Sequence, residues 1–105
     1  MAEVNVKVSV ICEGFSWTYN EGNRYRLYVN SDLLTERAWA YDPKTTYIEE
    51  DIWINVAEDS INTVKIVPLL AKDSKAEFYL RYLKINDVRV ENVKGTNHEL
   101  LFQVR

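Results

Sequence analysis

Apolar and polar residues alternate along most of this chain, and the alternation divides it into strands. VNVKVSVI, residues 4–11, sets Val4, Val6, Val8 and Val10 on one side, with Asn5, Lys7 and Ser9 on the other. RYRLYVN groups Tyr25, Leu27 and Val29 against Arg24, Arg26 and Tyr28. YIEEDIWINV aligns Ile48, Ile52, Ile54 and Val56, with Glu50 as the odd member of that apolar side. Tyr47, Glu49, Asp51 and Trp53 share its other side. The same period predicts strands at NTVKIVPLL, EFYLRYLKI, VRVENV and LLFQV. With LLTERAWA these make about eight short strands, the spacing of an all-β sandwich or barrel.

Two segments need more than the period. SDLLTERAWAYD fits a helix capped by Ser31 or Asp32, with Leu33, Leu34, Arg37, Ala38 and Tyr41 in helical register. A hairpin is the better expectation, because Asn30-Ser31-Asp32 is a turn-forming cluster set between β-rich neighbours. The same chemistry recurs at Asn86-Asp87, so one hairpin plan is expected twice. In EFYLRYLKI, Phe78, Leu80 and Tyr82 are expected to face the core, and Tyr79 and Arg81 to face outwards. The switch of phase to Leu83 and Ile85 predicts a bulge near Tyr82. Pro68 inside IVPLL marks an edge or a bulge.

Composition then narrows the functional classes. A chain of 105 residues, 47% hydrophobic and 28% charged, reads as a single β-sandwich domain over residues 1–105. A net charge of −3 without a basic patch argues against a nucleic-acid partner. MAEVNVKVSV has neither a basic n-region nor a continuous apolar core, and no apolar run approaches the ~20 residues of a membrane span. The expectation is a protein without signal peptide, membrane segment or membrane partner, cytoplasmic or virion-associated.

The inventory for catalysis is short. Three glycines form no phosphate-cradling loop, and one cysteine with one histidine cannot build a zinc site. Cys12 closes an alternating strand as a small apolar side chain, and His98 stands in a polar turn with no nucleophile beside it. No enzyme is expected. Glu49 and Asp51 share a strand face and could serve as acid and base or hold calcium. A solvated face with lysine and arginine across the ladder is the more ordinary outcome. No cofactor is expected; a calcium site assembled from separate loops stays open, but Glu58, Asp59 and Asp73 lack ligand spacing.

Aromatic residues stand above this background. Trp17 and Tyr19 lie in the polar loop SWTYNEGN, and Trp39 and Tyr41 flank a loop containing Asp42-Pro43. Such rings stack on the apolar face of a sugar, with Asp42, Glu49 and Asp51 as candidates for its hydroxyls. They equally close the ends of a sandwich core.

The segments RYRLYVNSDLLTERAW, TYIEEDIWINV, INTVKIVPL and EFYLRYLKINDVRV resemble the strand plan of jelly-roll carbohydrate-binding modules of the calcium-dependent xylan-binding type. Phe78, Tyr79, Leu80, Tyr82, Leu83, Ile85 and Asn86 match the closing stretch of that family in type and order, and Val29-Asn30 matches an earlier turn. The resemblance covers roughly residues 24–93 and implies a jelly-roll-like sandwich of two antiparallel sheets with a sugar-binding role. Ser31 and Asp87 replace the family's turn glycines, Arg81 replaces an acidic position, and the acidic loop is reduced to AKDSKAE. If the calcium site has gone with these replacements, the scaffold carries over and the family's calcium mechanism does not. The chain is also similar in style to small β-proteins of marine tailed phages. The leading expectation is a non-catalytic carbohydrate-binding module. The alternative is a virion-like structural or assembly protein, a homo-oligomer joined through an arginine/tyrosine face of Arg26, Tyr28, Tyr79 and Arg81.

Overall fold

The alternating segments become strands, and their apolar sides close on one another. In the computed structural model, which describes residues 2–13, 23–39, 47–57, 59–70, 77–90, 94–96 and 98–103, two antiparallel sheets form a β-sandwich. One sheet consists of β1 (Ala2–Glu13), β4 (Tyr47–Val56), β6 (Glu77–Ile85) and β7 (Val88–Arg89), in the order β4-β1-β6-β7. The other contains β2 (Arg24–Val29), β3 (Asp32–Ala38), β5 (Ile61–Leu69), β8 (Lys94–Gly95) and β9 (Glu99–Gln103), in the order β3-β2-β5-β9-β8. LLTERA, within Asp32–Ala38, is therefore strand and not helix. Of VRVENV, Val88 and Arg89 form β7 and residues 91–93 lie outside the described residues; β8 is a strand that the alternation does not mark.

The period of two sets the core. Val4, Val6, Val8, Val10 and Cys12 of β1 point inwards, against Tyr25, Leu27 and Val29 of β2 and Val64 and Ile66 of β5; all are buried. Phe78 stands between two rings, with centroids 5.4 Å from Tyr25 and 5.7 Å from Trp39. These offset and edge-on pairs add to the area they bury.

Both hairpins close as expected from their turn residues. Asn30 and Ser31 have φ of 52° and 78°, and Asn86 and Asp87 have 49° and 66°, the double positive φ of a type I′ turn. Each asparagine also ties its turn to a third strand. The Asn30 N–H donates to the Thr63 carbonyl (3.1 Å), and Asn30 Oδ1 accepts from the Thr63 N–H (2.9 Å). Asn86 repeats the device on β1, donating to the Asn5 carbonyl (2.8 Å) and accepting from the Asn5 N–H (2.9 Å). Ser31 makes no such bond, so it bears the left-handed backbone without compensation. Ser31→Gly is expected to raise stability by about 0.5–1 kcal/mol, read as a shifted urea midpoint at unchanged m-value.

Pro68 lies where its missing N–H is not needed. The Ile66 N–H points towards β9, donating to the His98 carbonyl (2.9 Å). Pro68, two residues on, faces the same way but past the end of β9, whose pairing with β5 stops at Lys65. The bulge near Tyr82 also forms: β6 pairs Arg81 with Ser9 and Lys84 with Lys7, so Tyr82 and Leu83 share the single residue Val8 opposite. Tyr82 itself differs from expectation. It has φ of 58° and is 53% exposed, while Leu83 takes the core position. A left-handed residue at the bulge turns two consecutive side chains, Arg81 and Tyr82, to the outside before the alternation resumes.

Candidate functional site

The outer face of the four-stranded sheet can be read row by row from its register. Tyr47, Ile11 and Tyr79 form one row across β4, β1 and β6; Glu49, Ser9 and Arg81 form the next. The middle residue of the second row is the smallest. Ser9 is only 6% exposed, a floor between Glu49 and Arg81, whose backbones stand two strand spacings apart, about 10 Å. The bulge then adds Tyr82 beside Arg81, and β7 adds Arg89, whose guanidinium lies 5.1 Å from the centre of the Tyr82 ring. The result is a groove of about 560 Å³ with Tyr47 and Glu49 on the β4 bank, Ser9 and Ile11 on the floor, and Arg81, Tyr82, Lys84 and Arg89 on the β6–β7 bank.

Further along the same face several polar groups pair with one another, although the buried Asn5 Oδ1 finds no partner among the described residues. Asn5 is buried and donates from Nδ2 to Asp51 Oδ1, and Lys7 pairs with Asp87 across to the β6–β7 turn. The hydrogen bond and charge of Lys7 hold the Asp87 carboxyl below its ordinary range. Glu49 and Asp51 do share a face as expected. Asp51 is engaged by Asn5, whereas Glu49 opens onto the groove. Trp53 follows in the next row, 64% exposed.

The other expected residues scatter. Trp39 is 6% exposed with its ring against Phe78, so it packs in the core and offers no face for stacking. The expected stacking and hydroxyl-binding residues Trp17, Tyr19, Tyr41 and Asp42 lie outside the described residues. Arg26 and Tyr28 are on β2, facing out from the five-stranded sheet, where Arg26 pairs with Glu36 at 2.6 Å. Tyr79 and Arg81 face out from the opposite sheet. The four residues thus belong to two surfaces on opposite sides of the sandwich and form no single arginine/tyrosine face. Tyr79 is engaged within the chain: its hydroxyl donates to Glu77, and its ring stacks towards His98 at 6.4 Å.

A second polar cluster lies between the sheets, at the edge where β3 and β4 meet. Glu50, the odd member of its apolar face, is buried there. The Tyr25 hydroxyl donates to Glu50 Oε1; Arg37 Nε donates to the same oxygen at 2.5 Å, and its Nη2 to Oε2 at 3.2 Å. Burial, then the bond to Glu50, pushes the Tyr25 hydroxyl pKa up. The carboxylate of Glu50 is occupied by Tyr25 and Arg37, so the cluster joins the sheets, while the Arg37 side chain stays half exposed at the edge.

Of the groove residues, Glu49 and Arg81 are singled out from the sequence, and Ser9, Ile11, Glu13, Tyr47, Tyr82, Lys84 and Arg89 are missed as site residues. The signal for Tyr82 is the broken phase of EFYLRYLKI, which places an arginine and a tyrosine on one face in succession. Among the described residues, no three histidine, cysteine, aspartate or glutamate side chains come together as metal ligands. Comparisons with protein-family models, with curated proteins and with solved structures find no match for this chain.

Proposed function

We propose that this protein is a non-catalytic binding module that takes a carbohydrate chain in the groove between Tyr47 and Tyr82. The single observation that carries this is Tyr82: an aromatic ring held out on a backbone conformation that costs a non-glycine residue free energy and that packs no core. Rings on two banks suit the apolar faces of a sugar, and Ser9, Glu49 and Arg81 supply donors and acceptors for its hydroxyls. The resemblance to xylan-binding modules supports a sugar ligand, although the surface proposed here is a sheet face and not the loops.

Calorimetric titration with neutral and acidic oligosaccharides tests the proposal. Saturable binding that weakens in Tyr82→Ala and survives chelation of calcium is expected; absence of binding across the panel overturns it.

One observation favours self-association as the second function. β3 is the terminal strand of its sheet, and Leu33 and Leu34 on it are 51% and 38% exposed. A strand edge that is unpaired among the described residues and carries leucines is a template for pairing with a second copy. Light scattering would then show a dimer that Leu34→Lys returns to monomer, and a monomer at all concentrations excludes it.

A further inference from the structure

The two banks of the groove carry opposite charge, and these charges form no ion pair with one another among the described residues. Arg81, Lys84 and Arg89 line the β6–β7 side, and Glu49 the β4 side, with Glu13 at the end of β1. Elsewhere the described arginines find carboxylates: Arg24 and Arg26 with Glu36, and Arg37 with Glu50. Arg81 and Arg89 have no ion pair among the described residues, and both stand over one groove. Arg89 contacts the face of Tyr82, an attraction to the ring's π-cloud that takes no carboxylate. Glu49 is opposite Arg81 in register but across the buried Ser9, and the two do not pair. Folding therefore leaves two guanidinium groups and an ammonium facing outwards on one bank, and a carboxylate on the other.

We infer that the chain bound in this groove is an acidic glycan whose uronate carboxylates are received by Arg81 and Arg89. This rests on the binding-module reading above. A guanidinium offers paired N–H donors that match the two oxygens of a carboxylate, and such charge-assisted bonds are the stronger kind. A uronate ring carries its carboxylate on C5 and its free hydroxyls on the opposite edge. Laid across Ser9 with its apolar face on Tyr82, it directs the carboxylate to the basic bank and the hydroxyls to Glu49, which accepts from them. A sugar sulfated on its ring hydroxyls fits less well, because its charge replaces the hydroxyls that Glu49 would receive and meets a like charge there. Lys84 adds a point charge that draws the chain to the same bank.

The test is titration of the full chain with oligogalacturonate, oligomannuronate and oligoglucuronate, each against its methyl ester, and with a sulfated neutral oligosaccharide. For at least one backbone the free acid is expected to bind about tenfold or more tightly than its ester, with affinity falling as salt rises. Arg81→Gln and Arg89→Gln are each expected to erase most of that preference, with circular dichroism confirming that the variants fold. Equal binding of acid and ester overturns the inference and leaves the binding module standing. Tighter binding of the sulfated sugar overturns the carboxylate assignment. Failure of every glycan, ester and acid alike, removes the module and this inference together.

Discussion

Replacing Arg37 with alanine is expected to lower the free energy of unfolding by about 2–3 kcal/mol, measured by urea denaturation. Arg37 belongs to the five-stranded sheet and Glu50 to the four-stranded one, so their bidentate contact closes the β3/β4 edge of the sandwich. Glu50 is 5% exposed, and among the described residues only the Tyr25 hydroxyl would remain to it. A carboxylate stranded in that position costs more than the pair gives, because desolvation is no longer offset. The figure stays below the roughly 3–5 kcal/mol of a fully buried broken pair, since the Arg37 side chain is 47% exposed and water can partly replace it. Glu50→Gln should be milder, about 1 kcal/mol, because its amide oxygen still accepts from Tyr25 and Arg37. Replacing Arg37 and Glu50 by leucine, with Tyr25→Phe, should recover most of the loss, since an apolar edge leaves nothing unpaired. A cost below about 0.5 kcal/mol for Arg37→Ala, the range of an exposed ion pair, would show that the contact does not hold the sheets together.

Glu50 also marks where the sequence stops being legible. A period of two assigns the inner faces of β1, β2 and β4 because each has one buried side, and a slip of one residue would expose the whole valine row. The hairpins are legible for a different reason: asparagine and aspartate are among the few side chains that accept positive φ, and both turns carry them. Neither rule says which outer face is functional. Arg26-Tyr28 and Tyr79-Arg81 look alike along the chain, and only the strand order puts them on opposite sides of the sandwich. The groove depends on the same long-range information. Ser9 becomes a floor only because β4 and β6 flank β1, and sequence separation hides that adjacency. Trp39 fails in the opposite sense. A tryptophan next to a polar loop suggests a ligand, but it follows the edge strand β3 and turns in against Phe78.

Tyr82→Gly is expected to separate stability from binding. At φ of 58° a side chain costs roughly 1–2 kcal/mol relative to the extended conformation, and glycine removes that penalty. The opposing loss is the contact with Arg89, about 0.5–1 kcal/mol at an exposed site. Tyr82→Gly should therefore unfold within about 1 kcal/mol of the parent protein, and no earlier than Tyr82→Ala, which keeps the strain and loses the ring. Glycan affinity should fall by about thirtyfold in both variants, the scale of a central aromatic contact. A sheet that needed only a bulge here would carry glycine, which adopts this conformation freely. Under the proposed function, tyrosine in its place holds a ring outside, next to Arg81 on the groove that Ser9 also lines, at a cost to the fold. The opposite pattern, Tyr82→Gly destabilised by more than about 2 kcal/mol with glycan affinity unchanged, would make Tyr82 a structural residue and remove the observation on which the proposed function stands.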